Sequence, residues 1–234
     1  MKRDVERTIN LDGRSAILRP SDSDLFVVAQ THGHKEYDIG DRTEPLRELA
    51  RSWRSEGVTP IIIDAGANVG YSSLYFAEQY PEALVIALEP HPQTFAMLER
   101  NCAQHPRIKV VQGALWLDEK GVSIRSGEDQ SWSHSVTRAS ANAVPSFTVD
   151  GVRELMPNSK TLILKMDIEG AEREACVPSS DTLKTCPCIM VEPHDFMLPG
   201  AACMMPLIAQ IANRRMDTLL LGEKLVFLDA AIST

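Results

Sequence analysis

Between residues 60 and 191, short continuous apolar runs alternate with stretches of helical periodicity. The first run, from Pro60 to Ile63, has no polar position, as expected for a parallel strand covered on both faces. Further strands are predicted at 83–88, 108–111, 162–166 and 188–191, helices over 71–79, 92–104 and from about 171, and a closing hairpin over 218–228. This alternation predicts a doubly wound α/β sheet with right-handed crossovers.

Two parts of the chain depart from that alternation. Short β-like runs at 15–18 and 25–28 precede a helix predicted over 44–56, so we predict a β-rich N-terminal segment and helix over 1–57. The main domain then covers 58–234. Within it, a Ser- and Gly-rich stretch at about 117–149 predicts an antiparallel insertion or lid.

Composition excludes several classes of protein. The chain has 234 residues, and its 24 Lys and Arg against 32 Asp and Glu give a net charge of −8, which argues against a nucleic-acid partner. No apolar run approaches the roughly 20 residues that cross a bilayer, and the charged start MKRDVERTINLDG lacks the apolar core of a signal peptide. Five cysteines without a regular framework are typical of reduced thiols. We therefore expect a cytoplasmic protein without a membrane partner; no pattern predicts its oligomeric state.

Glycine and acidic residues follow the first two predicted strands, where ligands of such sheets bind. Asp64-x-Gly66-x-Asn68-x-Gly70 can turn tightly and admit a ligand to the backbone, and Glu89, 25 residues after Asp64, can accept hydrogen bonds from ribose hydroxyls. The Asp64 charge disfavours a pyrophosphate, and the dinucleotide pattern GxGxxG is absent. The pair predicts a ligand with a ribose and a cationic centre, which S-adenosylmethionine provides. In the alternative interpretation, Asp64 caps a helix and Glu89 is a surface charge.

Charged residues also end the fourth predicted strand. Lys165, Asp167 and Glu169 alternate, so they point to one side, and burying them costs several kcal/mol each unless they are paired. This favours a functional cluster in which Lys165 neutralises one carboxylate and Asp167 or Glu169 faces the ligands. The alternative is a helix start, with Glu169 and Glu172 in the first turn.

Together these stretches resemble the FkbM family of S-adenosylmethionine-dependent methyltransferases, over roughly residues 35 to 195. The matching stretches are Asp64-x-Gly66-x-Asn68-x-Gly70, Glu89-Pro90, Ala114-Leu115, Lys165-Met166-Asp167-Ile168-Glu169-Gly170-Ala171-Glu172 and Glu192-Pro193-His194, with Glu36-Tyr37 before the core. The resemblance implies the Rossmann-like, seven-stranded class I methyltransferase sheet with an antiparallel last strand. It also implies S-adenosylmethionine as cofactor and methylation of an oxygen, commonly a hydroxyl on a sugar, polyketide or other natural product.

The strand-end positions, the resemblance and the chemistry of a hydroxyl acceptor together give the candidate site residues. The cofactor-binding candidates are Asp64, Gly66, Asn68, Gly70, Glu89, Pro90, Gly113, Ala114 and Asp167, with Glu36 and Tyr37; the catalytic candidates are His194, Asp167, Glu169, Lys165 and His134. An alcohol acceptor needs a general base or a metal ion. The pKa of histidine suits His194 to the role of base, with Glu192 and Asp195 placed to orient it. Asp167, Glu169 and His194 could instead hold a divalent ion, but no tight ligand spacing favours a metal.

The insertion at 117–149 departs from the family pattern and leaves the small-molecule acceptor open. Trp116 and Trp132 lie at its margins, with Ser131, Ser133, His134 and Ser135 between short predicted strands. In one interpretation this stretch forms an apolar wall with several hydroxyls, which suits a mid-sized metabolite as acceptor. In the alternative, it is a solvated loop without a role in binding. Two other functions also stay open, an NAD-dependent oxidoreductase that holds the ribose through Glu89, and a catalytically silent binding module.

Overall fold

The computed structural model describes residues 6–11, 13–20, 23–126, 134–138 and 143–232. Its first part is a hairpin of β1 (Arg7–Leu11) and β2 (Arg14–Leu18), followed by helix α1 (Asp24–Val28) and helix α2 (Thr43–Ser55). A π-helical turn over Ala29–Gly33 and a 3-10 turn over Gly40–Arg42 connect the two helices.

The prediction of a β-like run at 25–28 is wrong, because these residues lie in α1. Asp24 begins that helix and is buried. Its carboxylate accepts the Arg19 backbone N–H at 2.8 Å and a guanidinium N–H at 2.6 Å. A negative charge stabilises the first turn of a helix, and here it outweighs the β preference of the valines.

The remaining elements alternate between strands and helices. They are β3 (Thr59–Ala65), α3 (Tyr71–Gln79), β4 (Leu84–Glu89), α4 (Pro92–Cys102), β5 (Ile108–Gln112), β6 (Ala114–Leu115), β7 (Val122–Ser126), β8 (His134–Arg138), β9 (Ser146–Phe147), α5 (Val149–Glu154), β10 (Ser159–Met166), α6 (Glu172–Cys176), α7 (Asp181–Thr185), β11 (Cys188–Val191), α8 (Met205–Ile211), β12 (Met216–Leu221) and β13 (Lys224–Asp229).

Seven of these strands form one sheet in the order β12-β13-β11-β10-β3-β4-β5. The central strands are parallel, and β13 runs antiparallel to both of its neighbours, which confirms the predicted class I methyltransferase sheet. Ile61 and Ile63 pack into the core on one face of the sheet, and Ile62 packs into the core on the other. Burial on both faces explains why the β3 sequence is continuously apolar.

The chain leaves the sheet after β5 and returns to it at β10, on the other side of β3. The carboxyl ends of β3 and β10 therefore meet at the point where the strand order reverses, with Lys165 in register with Asp64. Between β5 and β10, β7 and β8 form an antiparallel hairpin, and β9 pairs in parallel with β6. The boundaries 1–57 and 58–234 stay a prediction. Over the described ranges, no helix has the length and apolar character that a membrane span requires.

Candidate active site

A cavity of about 670 Å³ opens at the carboxyl ends of β3, β4, β10 and β11. Its size falls in the range of small-molecule sites. Most of the cofactor-binding candidates line it, namely Gly66, Asn68, Glu89, Pro90, Gly113, Ala114, Asp167 and Tyr37, together with the catalytic candidates Lys165, Glu169 and His194. Asp64, Gly70 and Glu36 do not line it, although each contacts a neighbouring element.

The loop after β3 is pressed against the end of β10. Gly66 has a φ of +75°, and a Cβ at this position would lie 1.8 Å from the backbone oxygen of Asp167. The glycine is therefore required by the protein's own backbone. Gly70 has a φ of +97° and packs against Leu98 and Cys102, which explains its conformation without a ligand.

Glu89 ends β4 and presents a fixed carboxylate to the cavity. The backbone N–H of Asn68 donates to Oε2 at 3.0 Å, and that of His91 donates to Oε1 at 2.9 Å. Each carboxylate oxygen has a second lone-pair direction, so both can still accept a ligand hydroxyl. Burial raises the pKa of Glu89 to about 7, against the lowering effect of the two backbone N–H groups.

Asp64 and Lys165 form a buried ion pair behind the loop. Nζ of Lys165 lies 3.1 Å from Oδ1 of Asp64 and donates to the Gly66 carbonyl at 2.8 Å. The hydroxyls of Ser72 and Ser73 donate to Oδ2 of Asp64 at 2.7 and 2.6 Å. Burial lowers the pKa of Lys165, but Asp64 and Asp167 outweigh it and raise that pKa above its ordinary value. The charge of Asp64 is thus compensated within the protein.

A second buried lysine ties the N-terminal part to the far side of the cavity. Nζ of Lys224, on β13, lies 2.8 Å from Oε2 of Glu36 and 3.1 Å from Oε2 of Glu192. The same ammonium lies over the Tyr37 ring at 5.3 Å. Of the predicted acid-Tyr pair, Tyr37 lies in the cavity wall and Glu36 lies behind it, and their role toward the cofactor stays a prediction.

His194 follows β11 and lies between carboxylates. Its Nδ1 is 2.8 Å from Oε1 of Glu172, and its Nε2 is 3.6 Å from Oε2 of Glu169 and 4.0 Å from Oε1 of Glu192. Asp195, predicted to orient the ring, instead accepts the backbone N–H groups of residues 203 and 204. Glu172 ends the motif that resembles the family, but from the sequence it was assigned only to a helix turn and not to the site. The spacing Glu169-Gly-x-Glu172 was the available signal for its contact with His194.

The electrostatics of this side of the cavity follow from its carboxylates. Burial lowers the pKa of His194, but the hydrogen bond and charge of Glu172, with Asp167 and Glu169, raise it to about 9. Burial and then the charge of Asp167 raise the pKa of Glu169 to about 7, and the same two causes raise that of Glu192. Glu169 also has a φ of +54°, a conformation that costs a non-glycine residue free energy and is common at functional sites.

Three of these residues form a group that could hold a metal ion. Ligand atoms of Asp167, Glu192 and His194 all lie within 4.8 Å of one another. The sequence-based candidate set had Glu169 in place of Glu192.

Among the residues of the insertion whose side chains the structure describes, 117–124, 137 and 143–149, none lines the cavity. Trp116 is buried in a cluster with Ala114 and Val122. Residues 131–133, with Trp132, lie outside the described residues. His134 is in β8, but its side chain is not among those described. Apolar side chains of α1 and of the segment after β11 line the cavity instead, among them Phe26, Phe196 and Met197.

The sheet with its reversed last strand and the cavity at the reversal of strand order define an α/β protein of the class I methyltransferase type. Residues 64–220 match the family model described as the methyltransferase FkbM domain. The chain therefore belongs to the FkbM family of methyltransferases, which confirms the resemblance seen in the motifs.

Curated relatives match over short stretches. Methyltransferase sdnD from Sordaria araneosa is 43% identical over 53 residues, 23% of this chain and 20% of that protein. Methyltransferase 1 from Beauveria bassiana (strain ARSEF 2860) is 43% identical over 44 residues, 19% of this chain and 18% of that protein. The matches thus span about a fifth of the length of either relative.

Solved structures resemble the chain only distantly. The Podospora anserina methyltransferase PaMTH1, bound to SAH, is 13% identical, with 82% of this chain and 88% of that chain covered and a TM-score of 0.40. M. jannaschii TYW2, in complex with AdoMet, is 10% identical, with 97% and 87% covered and a TM-score of 0.42. At TM-scores below 0.5, these likenesses carry no argument about activity.

Proposed function

We propose that this protein transfers a methyl group from S-adenosylmethionine to a hydroxyl oxygen of a small molecule such as a sugar, a polyketide or another natural product. Membership of the FkbM family supports methyl transfer. The observation that carries the donor assignment is the Glu89 carboxylate, buried at the end of β4, oriented by two backbone N–H groups and open to the cavity.

The donor fits the part of the cavity next to β3 and β4. Glu89 would accept hydrogen bonds from the ribose hydroxyls, Gly113 and Ala114 would border the adenine, and the loop from Gly66 to Asn68 with Asp167 would hold the methionine part. S-adenosylmethionine carries a positively charged sulfonium, and the excess of carboxylates around the cavity favours binding of a cation. A dinucleotide would bring a pyrophosphate, which the same carboxylates repel.

The acceptor fits the part of the cavity next to β10 and β11. In the reaction, the acceptor oxygen forms a bond to the methyl carbon and the bond from sulfur to that carbon breaks. The electron pair of that bond stays on sulfur, so the product S-adenosylhomocysteine has a neutral thioether in place of the sulfonium. The hydroxyl proton passes to the carboxylate of Glu169, whose Oε2 lies 3.6 Å from Nε2 of His194. Because the sulfonium is already an activated leaving group, alignment of donor and acceptor supplies most of the rate, and positioning can contribute about 7–11 kcal/mol.

The wall opposite the carboxylates is apolar. Phe26, Phe196 and Met197 line the cavity, and all three side chains are exposed to solvent. Such a wall with a polar floor supports an acceptor with an apolar body and an inward hydroxyl. The five free, buried cysteines support a reducing compartment, as in the cytoplasm.

Calorimetric titration with S-adenosylhomocysteine and with NAD tests the donor. We expect binding of the first and none of the second; the reverse result would favour an oxidoreductase. Incubation with methyl-labelled S-adenosylmethionine and a panel of alcohols, amines and thiols tests the acceptor atom. Label transfer to alcohols supports the proposal, and label confined to amines or thiols contradicts it.

A further inference from the structure

Asp167, Glu192 and His194 surround a common point at the acceptor side of the cavity. They follow the adjacent parallel strands β10 and β11, and their ligand atoms all lie within 4.8 Å of one another. Two carboxylates and an imidazole are ligands that divalent ions such as Mn²⁺ accept. An acidic group of this kind is common in proteins, so the assignment needs a second observation.

His194 provides that observation. Its side chain lines the cavity but is only 3% exposed. Nε2 faces Oε2 of Glu169 at 3.6 Å and Oε1 of Glu192 at 4.0 Å, and within the described ranges no hydrogen bond reaches this atom. The other ring nitrogen, Nδ1, is 2.8 Å from Oε1 of the fully buried Glu172. Metal-binding histidines almost always donate their second ring N–H to a carboxylate or carbonyl, which leaves the first nitrogen free to ligate. The Glu172–His194 pair has this arrangement.

The two buried lysines each contact one carboxylate of this group, and in each case only one of its two oxygens. Lys224 contacts Oε2 of Glu192, and the other oxygen, Oε1, is the one that faces His194 Nε2 at 4.0 Å. Lys165 lies 3.8 Å from Oδ2 of Asp167 and closer to Asp64. The hydrogen bond from Lys224 holds Glu192 in position, the contact of Lys165 with Asp167 is looser, and in each carboxylate the other oxygen stays available for a cation.

We propose that Asp167, Glu192 and His194 bind a divalent metal ion that also contacts the acceptor hydroxyl. The catalytic part of this inference rests on the proposed function, whereas binding of the ion does not. Coordination lowers the pKa of a hydroxyl and orients it. With Nε2 of His194 occupied as a ligand, Glu169 takes the hydroxyl proton as the methyl group is transferred. The ion itself is neither oxidised nor reduced.

Titration of the full chain, without an affinity tag and stripped with chelator, tests the site with Mn²⁺ as probe. Calorimetry and the electron paramagnetic resonance of free Mn²⁺ report binding, with and without saturating S-adenosylhomocysteine. We expect one Mn²⁺ per chain in both conditions. Asp167→Asn, Glu192→Gln and His194→Gln should each weaken binding at least about tenfold, and Glu172→Gln should weaken it by about 10–100-fold.

Glu223→Gln is the matched control, because Glu223 lines the same cavity outside the group and should leave Mn²⁺ affinity unchanged. Thermal melts identify any variant that fails to fold. If His194→Gln fails to fold, Asp167→Asn and Glu192→Gln still test the site. Absence of Mn²⁺ binding, or equal binding by all three ligand variants, would overturn the inference. Loss of Mn²⁺ when S-adenosylhomocysteine is added would also overturn it and assign the carboxylates to the donor. Mn²⁺ binding without S-adenosylhomocysteine binding would contradict the proposed function alone.

Discussion

Oε1 of Glu172 lies 2.8 Å from Nδ1 of His194, and both side chains are buried. The contact joins the first turn of α6 to the segment after β11, so it holds together two of the loops that form the cavity. It also fixes which ring nitrogen of His194 faces the ligands.

Removal of one partner leaves the other buried without compensation. We expect Glu172→Ala to lower the free energy of unfolding by about 3–5 kcal/mol, as measured by urea denaturation. Glu174→Ala, two residues further along the same helix at a half-buried position, is the control and should stay within about 0.5 kcal/mol of wild type. Equal effects of the two variants would mean that the contact with His194 contributes nothing.

The Asp64–Lys165 pair gives a second stability prediction. Lys165→Met leaves the carboxylate of Asp64 buried beside an apolar side chain, so we expect a loss of about 3–5 kcal/mol in the free energy of unfolding. Adding Asp64→Asn should restore part of that loss, because the uncompensated charge disappears. A double variant less stable than Lys165→Met would show that the pair is not the cause.

Alanine substitutions at Gly66 and Gly57 distinguish the cost of backbone strain from the cost of a steric clash. Both have positive φ, but a Cβ at Gly57 meets nothing within 4 Å, whereas at Gly66 it would lie 1.8 Å from the Asp167 oxygen. Gly57→Ala should therefore cost about 1–2 kcal/mol, the strain of a left-handed residue. Gly66→Ala should cost clearly more and should also weaken S-adenosylhomocysteine binding. Similar melting temperatures for the two variants would contradict the close packing of this loop on β10.

The pKa of Glu89 near 7 predicts pH-dependent donor binding. The ionised carboxylate is the better hydrogen-bond acceptor, and it becomes protonated as the pH falls through its raised pKa. The affinity for S-adenosylhomocysteine should therefore fall between pH 8 and pH 6, by up to about tenfold per unit below the pKa. Glu89→Gln should bind weakly and lose this slope. Glu169→Gln should keep it, and a flat profile in that variant would assign the slope to Glu169.

Much of the fold could be predicted from the sequence, since buried parallel strands require continuous apolar runs such as that before Asp64. The expectation of a strand at 25–28 was wrong because the β preference of these residues does not report the hydrogen bond and ion pair between Asp24 and Arg19. Local periodicity cannot report a contact made by a residue just outside the run.

The candidate site could be predicted only in part. Positions at strand ends, such as Glu89 and Asp167, follow from topology, because the carboxyl ends of parallel strands share one edge of the sheet. The contact of His194 with Glu172 and the partners of Lys224 could not be predicted, because these contacts join segments 22 and 32 residues apart or more. At Gly66 the sequence identified the right residue but gave only one of the reasons for it. Glycine is needed there because the Asp167 backbone leaves no room for a Cβ, as well as to admit a ligand.

Calorimetric titration of S-adenosylhomocysteine into wild type, Glu89→Ala and Glu223→Ala tests the central claim most directly. Glu89→Ala removes the acceptor of two ribose hydrogen bonds, each worth about 1.5–3 kcal/mol to a charged group, so affinity should fall about a hundredfold or more. Glu223→Ala, which changes an exposed carboxylate of the same cavity, should bind like wild type. If Glu89→Ala melts like wild type and keeps its affinity within twofold, the donor does not bind at the end of β4, and the account is wrong.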